Sequence, residues 1–168
     1  MRALKRWKPE LGSNKREVLI IDKSDLSGSL HLPPSKSHAM RWLILASMDN
    51  SSTQIEMEEI GKDVEAMIRC LEQLGIKYED GIIAGGNLSR PIGVLNCANS
   101  GTAFRFLLAQ AASCSFPVML DGDNSLRVRS SSPLIESLGV STSQGFGLET
   151  NPVLVNGPIS NQEIEIDV

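Results

Sequence analysis

The stretch Pro34-Ser35-Lys36-Ser37-His38-Ala39-Met40-Arg41, running into Trp42-Leu43-Ile44-Leu45-Ala46-Ser47-Met48, decides how the rest of the chain is read. It has the form of a short loop that delivers Lys36, Ser37 and Arg41 to the first turns of an apolar helix. Helix starts present unpaired backbone N–H groups and a partial positive charge, and so hold anions. Lys36 and Arg41 add two full charges, and an arginine can fork onto the oxygens of a phosphate or carboxylate. His38 lies in the same loop, where its imidazole could touch a ligand or make a structural hydrogen bond. A lone lysine and arginine at a helix start are more often a solvated end, so one copy would carry little weight.

A second copy follows. Asn99-Ser100-Gly101-Thr102-Ala103-Phe104-Arg105-Phe106-Leu107-Leu108-Ala109 repeats the pattern, and a shift of 64 places Ala39 on Ala103, Arg41 on Arg105 and Leu43 on Leu107. The same shift puts Glu72 on Glu136, Leu74 on Leu138 and Gly75 on Gly139. One offset that aligns a helix start and a later helix end is the mark of a repeated supersecondary unit. Two such units packed side by side would turn their polar, cationic loops toward one site. A third basic segment, Leu126-Arg127-Val128-Arg129, follows a Gly-Asp turn, and its two arginines read as a clamp for a carboxylate or a second phosphate.

Working outward, 17–22 reads as a first strand and 29–32 as a second, stopped by Pro33-Pro34; His31 falls on the polar side of that alternation. The helix from about 37 to 48 is apolar nearly all round, which predicts burial on most faces. A strand over 53–57 follows. Asp63 is the expected N-cap of a helix whose stripe is Val64, Met67, Ile68, Leu71 and Leu74, closed by Gly75. Asp80-Gly81 between 76–79 and 82–84 predicts a hairpin. The second unit repeats the order: a strand over 92–96, a loop at 99–102, a helix to about 112, a strand over 116–121 and a loop through 122–125. A helix then opens at Ser132-Pro133 and closes at Gly139, and a weak hairpin runs from Val140 toward Phe146 and Leu148. The expected fold class is therefore α/β, built from strand–helix–strand–helix–hairpin units at about 29–91 and 92–160. Residues 163–168 alternate as the start of a third unit, so the chain reads as a truncated domain over 17–168. Residues 1–16 carry Arg2, Lys5, Arg6, Lys8, Lys15 and Arg16 against Glu10 and read as a basic N-terminal arm.

Composition sets the bounds. The 168 residues are 41% hydrophobic and 21% charged, ordinary for a globular chain with a real core. A net charge of −4 argues against a general nucleic-acid binder, and 4% aromatic residues leave few stacking platforms for bases. No apolar run reaches the roughly 18 residues of a membrane span. Cys70, Cys97 and Cys114 have no metal-like spacing and read as buried free thiols, which suits a cytoplasmic protein. Cys97 sits just before the second anion loop, but no histidine lies near it in sequence, so a nucleophilic role is the less favoured alternative.

Taken in order, Ser35-Lys36-Ser37-His38-Ala39-Met40-Arg41, Asn99-Ser100-Gly101-Thr102-Ala103-Phe104-Arg105 and Gly122-Asp123-Asn124-Ser125-Leu126-Arg127-Val128-Arg129 resemble the enolpyruvyl transferases. The nearer likeness is to the branch acting on shikimate 3-phosphate, the 5-enolpyruvylshikimate-3-phosphate synthases, from about Leu19 onward. The resemblance implies the inside-out α/β barrel fold of that family, with two of the three units of one domain present. It also implies transfer of the enolpyruvyl group from phosphoenolpyruvate to the 5-hydroxyl of shikimate 3-phosphate, with release of phosphate, on the route to aromatic amino acids. It implies no organic cofactor and no metal. Carried over by position, Lys36 and Arg129 would be the catalytic residues. Lys36 would bind both substrates, and Ser37 and Arg41 would hold shikimate 3-phosphate. Asn99, Gly101 and Arg129 would form part of the phosphoenolpyruvate site, with Thr102 beside them and Arg105 supporting the positive field. The partners implied are those two substrates, with no nucleic acid and no membrane.

Two departures mark this chain. Ser130 stands where the family usually has proline after the arginine, and the later Ser-Ser-Gln substrate motif is absent. A non-catalytic anion-binding fragment, or a half-enzyme needing a separate C-terminal chain, is the competing expectation. The related UDP-N-acetylglucosamine transferases fit less well: they carry Lys-Asn where this chain has Lys36-Ser37, and they rely on a loop cysteine absent here.

Overall fold

The structure, a computed structural model, describes residues 27–29, 32–144 and 152–159. The chain divides into two units, Met1–His31 and Leu32–Val168, and every element below belongs to the second. The basic arm, the strand expected over 17–22, His31, the 146–148 end of the late hairpin and the 163–168 strand lie outside the described residues. Ser29 and Leu32, the outer residues of the expected 29–32 strand, are not in a strand.

Helix α1 spans Lys36–Met48, β1 Ser52–Gln54, α2 Lys62–Gln73, β2 Lys77–Glu79 and β3 Ile82–Ala84. Then come β4 (Leu95–Asn96), α3 (Gly101–Ala112), β5 (Val118–Asp121), α4 (Asn124–Arg127), α5 (Ser132–Leu138), β6 (Ser141–Gln144) and β7 (Val153–Asn156). Apart from the single turn α4 inserted after β5, the order helix, strand, helix, hairpin thus occurs twice, as α1-β1-α2-β2-β3 and as α3-β5-α5-β6-β7. Three strands form one antiparallel sheet in the order β1-β3-β2. Four form the other in the order β4-β5-β7-β6, with β4 and β5 parallel across helix α3 and the remaining pairs antiparallel.

Local chemistry accounts for most boundaries. The turn between β2 and β3 places both Asp80 (φ 49°) and Gly81 (φ 77°) in the left-handed region, as a two-residue hairpin turn requires. Gly75 (φ 91°) and Gly139 (φ 59°) end α2 and α5, where a Cβ would be strained. The stripe Val64, Met67, Ile68, Leu71 and Leu74 is buried in full, one face of α2 turned to the core.

Helix α1 departs from expectation. Met40, Leu43, Ala46 and Ser47 are buried, whereas Trp42, Leu45 and Met48 are exposed. Neighbours α2, α3 and β3 pack on α1, and its buried residues follow i, i+3 and i+4 spacing, while Trp42, Leu45 and Met48 on the other side stay more than half exposed. The late hairpin also differs. Strand β6 pairs with β7 from Ser141↔Asn156 to Gln144↔Val153, so its return strand lies beyond the expected 146–148. Ile92 and Val94 stay outside β4 and exposed, which shortens the strand expected over 92–96. Among the described residues no helix is long and apolar enough to cross a membrane.

Two contacts fix how α1 lies on α3. Midway along each helix, the Arg41 guanidinium lies over the Phe106 ring, 5.8 Å from its centre. Late in each, the Gln110 amide donates to Ser47 Oγ at 2.9 Å in a buried site. Both pairings run in the same chain direction, so the helices are parallel and their N-terminal turns share one end.

Candidate functional site

At that end, two loops are tied together by backbone bonds. Cys97 N–H donates to Asp121 O at 2.9 Å, and Asp123 N–H donates to Ala98 O at 2.8 Å. The turn this requires puts Ala98 in the left-handed region (φ 51°), an unusual conformation for alanine, and the Asn96 side-chain carbonyl accepts its N–H at 2.8 Å. Each loop then opens a helix with a side-chain cap. Ser100 Oγ accepts from Ala103 N–H at the start of α3, and Asp123 Oδ1 accepts from Ser125 and Leu126 N–H at the start of α4. The segment 122–125 is expected from the sequence to be a loop, with Leu126-Arg127-Val128-Arg129 following it. Asn124–Arg127 instead forms the single turn α4, because Asp123 caps it and the buried Leu126 anchors it.

This frame gathers Asn99, Gly101, Arg105 and Arg129. Arg129 Nη2 donates to Asn99 Oδ1 at 2.7 Å and to Ser125 Oγ at 3.1 Å. Arg105, one turn into α3, reaches the Ser130 carbonyl at 3.5 Å. A Cβ built on Gly101 would lie 3.2 Å from Arg105 Nη1 and 3.5 Å from Arg129 Nη1. Two guanidinium groups therefore converge on the bare Cα of the first residue of α3. Thr102 follows in the same turn. Asn99, Ser125, Arg105 and Arg129 are all exposed, so the cluster opens to solvent. Chemically it is a cradle of donors suited to an anion.

The start of α1 is arranged differently. Lys36 Nζ lies 2.7 Å from Asp63 Oδ2, in the first turn of α2. Asp63 was expected to cap that helix. The N-cap is Gly61, and Asp63 sits inside the first turn, where its carboxylate suits the helix dipole and is held by Lys36. Arg41 folds back on its own helix, with Nη1 donating to Ser37 O at 2.9 Å, and its guanidinium rests on Phe106. His38 is exposed. Lys36, Ser37 and Arg41 thus lie at the same end as the Arg129 group, but no hydrogen bond or ion pair joins the two sets among the described residues.

One expectation needs correction, and one alternative is closed. Arg127 is not paired with Arg129 as a clamp, because it forks onto Asp121, with Nε donating to Oδ1 at 2.9 Å and Nη2 to Oδ2. That contact holds the Asp121 carboxyl below its ordinary value. Cys97 is not placed as a nucleophile. It is fully buried, and its hydrogen bond with Cys70 and then its burial push its thiol up. All three cysteines are buried and free, and burial also raises Cys114. Among the described residues no group of three or more His, Cys, Asp or Glu could hold a metal ion. Asp63, Asp121 and Ser125 had no expected role at this end. Only Asp121 left a trace, an acid six residues before an arginine across a Gly-Asp turn.

Comparison with known proteins agrees with this architecture. The chain is 34% identical over 160 residues to the 3-phosphoshikimate 1-carboxyvinyltransferase of Methanocorpusculum labreanum, covering 88% of this chain and 37% of that protein. It is 36% identical over 160 residues to the enzyme of the same name from Caldivirga maquilingensis, covering 89% and 36%. The chain thus spans little more than a third of the length of these curated relatives. Among solved structures, an EPSP synthase from Acinetobacter baumannii superposes with a TM-score of 0.68 at 24% identity, over 78% of this chain and 32% of that one. That likeness establishes the fold, a partial copy of the EPSP synthase α/β architecture. A family model described as EPSP synthase (3-phosphoshikimate 1-carboxyvinyltransferase) matches residues 20–167, and the chain belongs to that family.

Proposed function

We propose that this chain carries one face of the site at which the enolpyruvyl group passes from phosphoenolpyruvate to the 5-hydroxyl of shikimate 3-phosphate, with release of phosphate. The observation that carries the reading is the convergence of the Arg105 and Arg129 guanidiniums on Gly101. Phosphoenolpyruvate bears a carboxylate and a phosphate, and the tetrahedral adduct formed with the acceptor hydroxyl keeps both. Fixed positive charge and positioning lower the barrier to the extent that they hold that adduct better than the reactants. In this assignment Asn99, Gly101, Thr102, Arg105 and Arg129 receive phosphoenolpyruvate. Ser37 and Arg41 hold shikimate 3-phosphate, and Lys36 contacts both substrates. Lys36 and Arg129 are the catalytic residues. The matching element orders support treating 29–91 and 92–160 as two repeats of one unit, and the buried free thiols support a cytoplasmic setting.

A second reading has its own support. The residues of the cradle are exposed, so the chain could bind the anions and turn nothing over, either alone or until a separate C-terminal chain supplies the opposite wall. Phosphate release from the two substrates on the purified chain, with calorimetric titration of shikimate 3-phosphate alongside, separates the readings. Turnover abolished by Lys36→Ala and by Arg129→Ala, with folding intact, supports the first. Binding without turnover supports the second, and neither binding nor turnover removes both.

A further inference from the structure

The four-residue helix α4 contributes one hydroxyl whose geometry goes beyond any role assigned above. Ser125 Oγ and Asn99 Oδ1 both accept from the same atom, Arg129 Nη2, at 3.1 and 2.7 Å. The two acceptors come from different loops, one before α3 and one within α4, and those loops are bonded through Ala98 and Asp123. We propose that Ser125 is a positioning residue for Arg129, fixing its guanidinium so that Nη1 stays over Gly101. This deepens the proposed function and rests on that reading for its substrate, phosphoenolpyruvate.

A guanidinium on the long, flexible arginine stem loses rotamer freedom when it binds an anion, and a partner that already holds it reduces that loss. One hydrogen bond to Asn99 leaves the group free to swing about that bond. A second acceptor on the same nitrogen restricts the swing, and Nη1 remains on the side facing Gly101, 3.5 Å from where its Cβ would be. Ser125 can serve because its own helix is held at both ends. Asp123 Oδ1 accepts its backbone N–H at 3.0 Å, and the Asp121–Arg127 fork closes the far side of the turn. The contact also orients the neutral partners. Because Asn99 Oδ1 and Ser125 Oγ accept from Arg129, the Asn99 amide nitrogen and the Ser125 hydroxyl proton are left to donate to an anion.

The test is made on the full 168-residue chain, with nitrogen-15-labelled arginine. The rotation rate of the Arg129 guanidinium is followed by nuclear magnetic resonance, and phosphoenolpyruvate is titrated in parallel. Wild type is expected to show slow rotation. Ser125→Ala is expected to speed it and to weaken phosphoenolpyruvate binding about five- to tenfold, the size of one net hydrogen bond. Ser125→Thr, which keeps the hydroxyl, is expected to restore slow rotation. A serine with a purely structural role would leave the rotation rate unmoved in both variants. Fast rotation in wild type, or an unchanged rate in a folded Ser125→Ala chain, overturns the inference. Slow rotation lost in Ser125→Ala without any phosphoenolpyruvate binding in wild type upholds the positioning role and overturns the substrate reading instead.

Discussion

Lys36 and Asp63, 27 positions apart, meet at 2.7 Å and join the first turn of α1 to the first turn of α2. The lysine side chain is more than half exposed, so the pair contributes about 0–1 kcal/mol to stability. Its larger effect is to hold the ammonium in one place. Asp63→Asn is expected to leave the thermal midpoint within about 2 °C of wild type while weakening shikimate 3-phosphate binding several-fold. Equal affinity in calorimetry would show that Lys36 does not need this partner.

Gly101 faces both guanidiniums, so an added methyl would enter the space assigned to phosphoenolpyruvate. The three nearest side-chain atoms to that Cβ are the movable ends of two arginines and a Leu126 methyl, so Gly101→Ala is expected to fold normally. Phosphoenolpyruvate binding should weaken about tenfold, equivalent to ~1.4 kcal/mol, with shikimate 3-phosphate affinity kept. Equal losses for both ligands would place the anion elsewhere.

The Asp121–Arg127 fork has a defined pH signature. The Asp121 carboxyl is held low in the folded chain, first by its hydrogen bond from Arg127, so the pair's contribution is whole above the ordinary carboxylate range. It is lost progressively as pH falls from that range through the lowered folded value. The difference in thermal midpoint between wild type and Asp121→Asn should therefore hold constant down to about pH 4 and shrink below it. A difference that persists undiminished near pH 2 would assign it to another cause.

The buried Ser47–Gln110 hydrogen bond pins α1 to α3 at their C-terminal ends. Ser47→Ala leaves the Gln110 amide buried without its acceptor, an expected cost of about 1–3 kcal/mol by urea unfolding. Gln110→Met removes the amide altogether, including an oxygen with no partner, and should cost less. The reverse order would mean that the amide finds another partner when the serine is gone.

What the sequence by itself determined were the features that repeat or obey local rules. The 64-residue offset marked two helices with anion-suited starts, and the apolar stripe of α2 named its buried face. Asp80-Gly81, Gly75 and Gly139 set a turn and two helix ends because their backbone angles exclude most other residues. Lys36, Gly101 and Arg105 could be placed at those starts, and Arg129 in a third basic segment, from the sequence alone. What only the tertiary structure decided were the pairings between distant side chains. Asp63 looked like a cap because capping is judged within four residues, whereas its partner is 27 residues upstream. Arg127 and Arg129 looked alike because both are arginines in one segment; one forks onto a strand end and the other faces Gly101. The exposed face of α1 was equally out of reach, since an all-round apolar pattern states what a helix could bury and not how many neighbours are there to cover it. Local periodicity and turn chemistry act along the chain, but the partner of a charge is set by which elements pack together.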